Sequence, residues 1–346
     1  MTQLAVIADD LTGALDAAAP FAARGLSTVV ALGRDELPAA LASGAEVIGV
    51  STGSRELSPA AARQAVADCL ALLPTGLSIF KKVDSRLKGN ITAELDAITF
   101  RRALVIPAIP AFGRWMRDGR LGGFGVSAPI DVAARLGHHA GKAHMPDVET
   151  QDDIDRALTR FDHDLPVGAR GLAEALAARL APVAAPPVVP SITAPIICVI
   201  GSTDPITLAQ IGRLRDANPG LHDIAAPNGV APHDLPPLGP MTLLQATAGG
   251  TPIDPALVAR HLGEALLRMP VPPGATLFIS GGATAQVVLR ALGIGLLQLA
   301  GEALPGLPIA RAGGFTIITK SGGFGTPDTL LRLLEHSGSA DRRAHG

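Results

Sequence analysis

Ser78-Ile79-Phe80-Lys81-Lys82-Val83-Asp84-Ser85-Arg86-Leu87-Lys88-Gly89-Asn90 joins an apolar run to a dense polar cluster. Ser78-Ile79-Phe80 begins a short β-branched and aromatic run, the pattern of a buried strand. Behind the cluster, Ile91 to Ile98 places apolar residues at helical spacing. Asn90 suits the N-cap of that helix, and Glu94 lies in its first turn, where negative charge favours the helix dipole. The pattern therefore predicts a strand-to-helix turn. Open α/β sheets hold their ligands at such turns.

Upstream, Gln3 to Ala8 reads as a strand ending at Asp9-Asp10, with a helix from Leu11 to about Arg24 and a strand from Ser27 to Leu32. This β-α-β order starts a parallel sheet. A strand at Val47 to Val50 ends in Ser51-Thr52-Gly53-Ser54-Arg55, and Ser58-Pro59 opens a helix to about Leu73. Downstream, a strand at Ala103 to Ile106 ends in Pro107 to Pro110. In a parallel sheet these polar strand ends meet along one edge, so residues a hundred apart in sequence line one cleft.

From Gly113 to about Thr150 the pattern weakens, and loop, lid and short strands all remain open. Helices are expected at Ile154 to Phe161 and Gly171 to Leu180, and a proline-rich segment then runs to Pro195. Beyond it the alternation restarts: strands at Ile196 to Ile200, Leu221 to Ala225, Thr242 to Gln245, Thr276 to Ser280 and Phe315 to Thr319, with helices between. Thr326-Pro327-Asp328 caps a last helix to about Glu335, and the tail Ser337 to Gly346 is expected to be disordered. The fold class predicted is α/β in two domains, each a mainly parallel sheet flanked by helices, with a cleft between them. Their bounds are 1–185 and 195–346.

Composition excludes several classes. A net charge of −2 offers no field for nucleic acid or a membrane surface, and 3% aromatics supply few stacking platforms. The longest uncharged stretch, Leu180 to Ser202, carries five prolines, which a membrane helix would hardly tolerate. Asp9-Asp10 interrupt the first apolar run too early for a signal peptide. Cys69 and Cys198 fit reduced thiols of a soluble cytoplasmic protein. The oligomeric state stays open, a homodimer among the options.

Several clusters could carry chemistry. Gly281-Gly282-Ala283-Thr284 and Lys320-Ser321-Gly322-Gly323-Phe324-Gly325 each follow a strand with glycines and a hydroxyl residue, a form that lets backbone N–H groups approach a phosphate. Lys320 would add a mobile charge, and Gly201-Ser202-Thr203 makes a third such turn. The bland alternative is a set of tight turns. Asp9, Asp10 and Asp16 could serve Mg²⁺ or a substrate hydroxyl, or simply dress a helix N-terminus. The Lys81 to Asn90 cluster suits an anionic, hydroxylated ligand. His138, His139 and His144 lack an acid or thiol at ligand spacing and read as a solvated loop, so the metal residues stay unknown. No strand leads into a G-x-G-x-x-G turn of a dinucleotide oxidoreductase.

Taken in order, these clusters resemble the four-carbon acid sugar kinase family. The matching residues are Ala8 to Asp16, Thr52 to Arg55, Lys82 to Asn90, Pro107 to Pro110 with Gly113-Arg114, Gly201-Ser202, Ser280 to Ala285 and Lys320 to Gly325. The family motif D-S-T-L-R-G-N reads Asp84-Ser85-Arg86-Leu87-Lys88-Gly89-Asn90 here, so Arg86 stands for Thr and Lys88 for Arg. The resemblance implies an N-terminal sugar-acid domain and a C-terminal ATP domain. Asp10, Arg55, Lys82, Asp84, Ser85 and Asn90 would face the acid, with Asp9 and Lys88 alongside. Ser202, Gly281, Gly282, Thr284, Gly322, Gly323 and Gly325 would line the nucleotide site, together with Lys320.

The implied activity is ATP- and Mg²⁺-dependent phosphorylation of the terminal hydroxyl of threonate, erythronate or 3-oxo-tetronate. Lys82 and Arg55 would hold the carboxylate, and Asp10 or Asp84 would accept the hydroxyl proton. A second reading, motivated by Arg86 and Lys88, is a catalytically silent protein that binds sugar acid and nucleotide on the same scaffold.

Overall fold

The computed structural model describes residues 2–183 and 189–335. The chain divides into two compact units, Met1–Pro187 and Val188–Gly346. The disordered tail expected from Ser337 lies outside the described residues, as does part of the proline-rich segment, 184–188.

The first unit carries β1 (Leu4–Ala8), α1 (Leu11–Ala23), β2 (Thr28–Ala31), α2 (Leu37–Ala42), β3 (Val47–Ser51), α3 (Pro59–Leu70), β4 (Ser78–Lys82), α4 (Ile91–Leu95) and β5 (Ala103–Ile106). Then follow β6 (Arg114–Arg117), β7 (Arg120–Gly123), β8 (Ile130–Asp131), α5 (Val132–Leu136), β9 (Ala143–His144), α6 (Gln151–Arg160), β10 (Leu165–Gly168) and α7 (Arg170–Leu180). The strands run β2-β3-β1-β4-β10-β5-β9, every pair parallel. Val6, Ile7, Ile48, Phe80 and Leu104 are fully buried, so these strands are continuous apolar runs, as parallel sheets covered on both faces require. Helix α1 packs against α7, and α3 against α4.

Register fixes the site. Ala8 pairs with both Ser51 and Lys82, and Gly168 with both Lys82 and Ile106. The segments that follow these residues therefore start side by side. Strand β10 was not expected, because Pro166 cannot donate to a ladder. The strand tolerates it by pairing with β4 only from Val167 onward. The weakly patterned region resolves into a small antiparallel sheet, β6-β7-β8.

The second unit carries β11 (Ile196–Ile200), α8 (Pro205–Ala217), β12 (His222–Pro227), β13 (Met241–Thr247), α9 (Pro255–Leu267), β14 (Thr276–Ser280), α10 (Gly282–Ala291), β15 (Leu296–Leu304), β16 (Leu307–Ala312) and β17 (Phe315–Lys320). Strands β12-β13-β11-β14-β17 are parallel, and β16 runs antiparallel to β17 and β15. The β15–β16 hairpin escaped the sequence pattern: Gly301 and Pro308 interrupt its alternation, and its ladder carries two register shifts. Ile196, Cys198, Ile200, Phe278 and Ile318 form the core. Ile200, Ser280 and Lys320 stand in register, which sets the three glycine turns next to one another. A last helical stretch covers 329–335. Among the described residues no helix is long and apolar enough to cross a membrane.

Candidate active site

In the first unit the strand ends gather a network of acids and bases. Arg55 Nε and Nη2 donate to Asp9 at 2.7 and 2.9 Å, and its Nη1 and Nη2 donate to Asp10 at 2.8 and 2.9 Å. Four of the five N–H groups of a guanidinium are thus taken up. Arg55 binds the two aspartates together. Asp10 also caps α1, accepting from Gly13 N at 2.8 Å and Thr12 Oγ1 at 2.8 Å. A Cβ on Gly13 would stand 2.5 Å from Asp10 Oδ1, so the capped turn needs glycine there. Burial pushes the Asp10 carboxyl above the usual carboxylate range, against the pull of Arg55.

Asp84 is placed differently. Its Oδ1 accepts from Arg86 N at 2.9 Å and Lys88 N at 3.2 Å, because the 84–88 turn curls around it. That turn holds Leu87 at φ 55° with its side chain buried, a conformation a leucine adopts only when its surroundings enforce it. The Asp84 Oδ2 accepts no hydrogen bond among the described residues, and its ion-pair contact is Arg55 Nη2 at 3.7 Å. Burial pushes the Asp84 pKa up, but Arg55, Lys82 and the two backbone donors outweigh it and hold the carboxyl below the usual range. Lys82, almost fully buried, donates to Val83 O at 2.7 Å, and its charge acts on both Asp10 and Asp84. Of the two aspartates, only Asp84 keeps an oxygen free of close partners.

The remaining expected residues divide. Ser85 Oγ accepts from Arg114 Nη1 at 2.6 Å, and Lys88 is exposed. Asn90 stands at the N-cap position expected, but its side chain does not cap: its amide donates to Ser54 O at 3.0 Å and Leu57 O at 2.9 Å, tying the 84–90 turn to the segment after β3. Lys81, expected among the cluster's charges, is fully buried in an ion pair with Glu94 at 2.8 Å. Glu94, in the first turn of α4 as expected, in turn accepts from Ser54 Oγ at 2.5 Å, so it also serves this network.

In the second unit, the three turns are built by close backbone approach. A Cβ on Gly201 would stand 1.9 Å from Thr284 Oγ1, and one on Gly322 would stand 2.3 Å from Ser202 Oγ. Gly281 holds φ 111° and Gly325 φ 87°, both in glycine's region, and Gly282 opens α10. Gly323 lies in the same turn as Gly322. Lys320 is not the mobile charge expected: it is buried, and its Nζ donates to Thr207 Oγ1, Ser321 O and Gly322 O at 2.9 Å and to Phe324 O at 3.2 Å. It shapes the turn from below. Burial lowers its pKa to about 8. Lys320→Ala is therefore expected to destabilise the protein without nucleotide by about 2–4 kcal/mol, as a shift in the urea midpoint, by removing the buried donor that ties Thr207, Ser321, Gly322 and Phe324 together. An unchanged midpoint with weakened ATP binding would restore the mobile-charge role.

Other candidates lie apart. His138 and His139 Nε2 stand 2.8 and 2.9 Å from Asp96 Oδ1; the rest of the segment is exposed or half-buried, as expected of a solvated loop, but His139 is buried. Asp96 lies 43 residues from His139 and was invisible as a neighbour in sequence. These three are the one grouping among the described residues placed to share a metal ion. Cys69 and Cys198 are buried free thiols, pushed by burial up to about 11 and about 12.

The comparisons with known proteins agree with the two-unit division of labour. A family described as a sugar-binding N-terminal domain matches residues 4–127, and one described as a nucleotide-binding C-terminal domain matches 239–330. The D-threonate kinase of Bordetella bronchiseptica is 29% identical, covering 96% of both chains. The 3-oxo-tetronate kinase of Methylobacterium radiotolerans is 26% identical over 96% of this chain and 98% of its own. The D-erythronate kinase of Heliobacterium modesticaldum reaches 34% identity over 35% of this chain and 29% of its own. A solved Haemophilus influenzae protein shares the fold with a TM-score of 0.66 at 21% identity, covering 97% of this chain and 99% of that one.

Proposed function

The chain belongs to the four-carbon acid sugar kinase family, and we propose that it transfers the γ-phosphoryl of ATP to the terminal (C4) hydroxyl of threonate, erythronate or 3-oxo-tetronate. The first unit would bind the acid and the second the nucleotide. The observation that carries this reading is Asp84: a carboxylate with one oxygen held by two backbone N–H groups and the other open, beside Lys82.

Asp84 Oδ2 accepts the hydroxyl proton as the oxygen attacks. Geometry ranks above pKa in choosing a base, and both Asp10 oxygens already accept two hydrogen bonds each. A depressed pKa is no obstacle, since phosphoryl transfer relies mainly on positioning and charge neutralisation. Asp10 and Asp9, clamped by Arg55, fix the turn that faces Asp84. The glycine turns of the second unit present backbone N–H groups to the phosphates.

Mg²⁺ fits the chemistry of the donors at those turns. Asp204 caps α8 through Oδ1, which accepts from Ile206 N at 3.0 Å, and it lies beside Gly322. With its other oxygen it would hold the ion, whose charge neutralises the phosphates. Buried free thiols suit a reducing compartment, and we place the enzyme in the cytoplasm.

ADP release with Mg-ATP across D- and L-threonate, D- and L-erythronate, 3-oxo-tetronates and longer aldonates tests the reading. Turnover dependent on a four-carbon acid is expected. ADP formation with longer aldonates alone would overturn the substrate class. An acid that raises the melting temperature with no ADP formed would leave only a binding protein.

A further inference from the structure

Three arginines stand buried or half-buried at the strand ends of the first unit, and two of them meet carboxylates. Arg55 has Asp9 and Asp10, and Arg170 has Glu174 at 2.8 Å and Asp16 at 3.4 Å. Arg114 is 4% exposed and has none within ion-pair distance among the described residues, Asp84 and Asp16 acting on it only from farther away. Its Nε donates to Phe124 O at 2.9 Å and its Nη1 to Ser85 Oγ at 2.6 Å, both neutral acceptors. Burying a cation without a counter-charge is costly.

The surroundings add to the surplus. Arg86, two residues from Asp84, carries no side-chain partner among the described residues, and its charge acts directly on Arg114. Burial first and Arg86 second pull the Arg114 pKa down, against the charges of Asp84 and Asp16, which pull it up. Gly113 and Gly123 meet so closely that a Cβ on Gly123 would stand 2.1 Å from Gly113 O, which fixes Arg114 at the head of β6. Gly125, at φ 73°, packs against the guanidinium, since a Cβ there would stand 3.3 Å from Arg114 Nη2, and Nη2 makes no hydrogen bond among the described residues.

We propose that Arg114, with Arg86 and Ser85 beside it, is the anchor for the carboxylate of the acceptor acid. This rests on the kinase reading only for the identity of the acid. The ligand class is a small hydroxylated monocarboxylate, gripped through Arg114 Nη2 and the free Arg86 fork. Guanidinium forks match a carboxylate bidentately, as a lysine does not. The anchor puts the carboxylate on the Ser85–Arg86 side of Asp84, leaving the far end of the acid for the reaction.

The test measures binding and turnover separately. Calorimetry with threonate and erythronate, without nucleotide, is run on the wild type, Arg114→Gln, Arg114→Lys and Arg86→Thr. ADP release is then measured with the same acids and with the uncharged threitol and erythritol. The expected result is about a 100-fold weaker affinity and higher KM for the acid in Arg114→Gln, and about 10-fold in Arg86→Thr. Arg114→Lys recovers only part, and any turnover of the uncharged polyols falls far less than turnover of the acids in every variant. Losses equal for acid and polyol, or acid affinity within threefold of wild type in both Arg114→Gln and Arg86→Thr, would overturn the anchor. Acid binding that falls in the variants while even the wild type makes no ADP would keep the anchor and sink the kinase. Should Arg114→Gln not fold, Arg86→Thr decides alone.

Discussion

Asp84→Asn is expected to lower kcat for acid-dependent ADP formation by about 10²–10⁴-fold, with KM for the acid nearly unchanged. Asparagine keeps a carbonyl oxygen to accept from Arg86 N and Lys88 N, so the 84–88 turn survives. What it loses is the open carboxylate oxygen that takes the proton. Asp10→Asn, by contrast, removes charge from a site already saturated by Arg55, Thr12 and Gly13, and its effect should appear in stability more than in kcat. A reversed ranking of the two variants in kcat would move the base to Asp10.

The Asp84 variant also carries a pH signature. The folded-state pKa of Asp84 lies below its unfolded value, so its charge contributes stability above that unfolded value, about 3.9. The contribution is lost as pH falls through the folded pKa. The stability gap between wild type and Asp84→Asn should therefore narrow in acid and be constant near neutrality.

The second large effect concerns Lys81 and Glu94, buried at 0 and 1% exposure and paired at 2.8 Å. Lys81→Met leaves Glu94 charged and unpaired in the interior and should cost about 3–5 kcal/mol in urea unfolding. The double variant Lys81→Met/Glu94→Leu should recover most of that, because both desolvation costs vanish together. It should not recover activity. Glu94 holds Ser54 Oγ, Ser54 lies 2.7 Å from Thr52 Oγ1, and Thr52 donates to Ala8 O at 3.0 Å. This relay sets the turn that presents Arg55 to Asp9 and Asp10. Additive losses in the double variant would show that the pair is two independent surface-like charges.

Much of this was legible in the sequence because it is local. The β-branched runs, the acids and glycines closing them, and the order of clusters along the chain placed the strand ends and the glycine turns. What failed depends on partners far away. Lys81, Lys82 and Lys320 read alike as lysines in polar clusters, yet Lys81 faces Glu94 and Lys320 faces the carbonyls of its own turn. The Asn90 side chain looks like a cap until the segment after β3 is brought beside it. Arg55 looked free because the two aspartates that consume it lie 45 and 46 residues away. Arg114 could have been singled out only by its burial without an ion-pair partner among the described residues, which is a property of the packed interior. Strand β10 was hidden by Pro166, whose missing donor matters only where both neighbours are paired.

The most direct measurement of the central claim is the proton-coupled ³¹P spectrum of the product made from ATP and the preferred four-carbon acid. Transfer to the terminal hydroxyl puts the phosphate on a CH₂ group, and a triplet is predicted. A doublet would place it on a secondary hydroxyl and contradict the account.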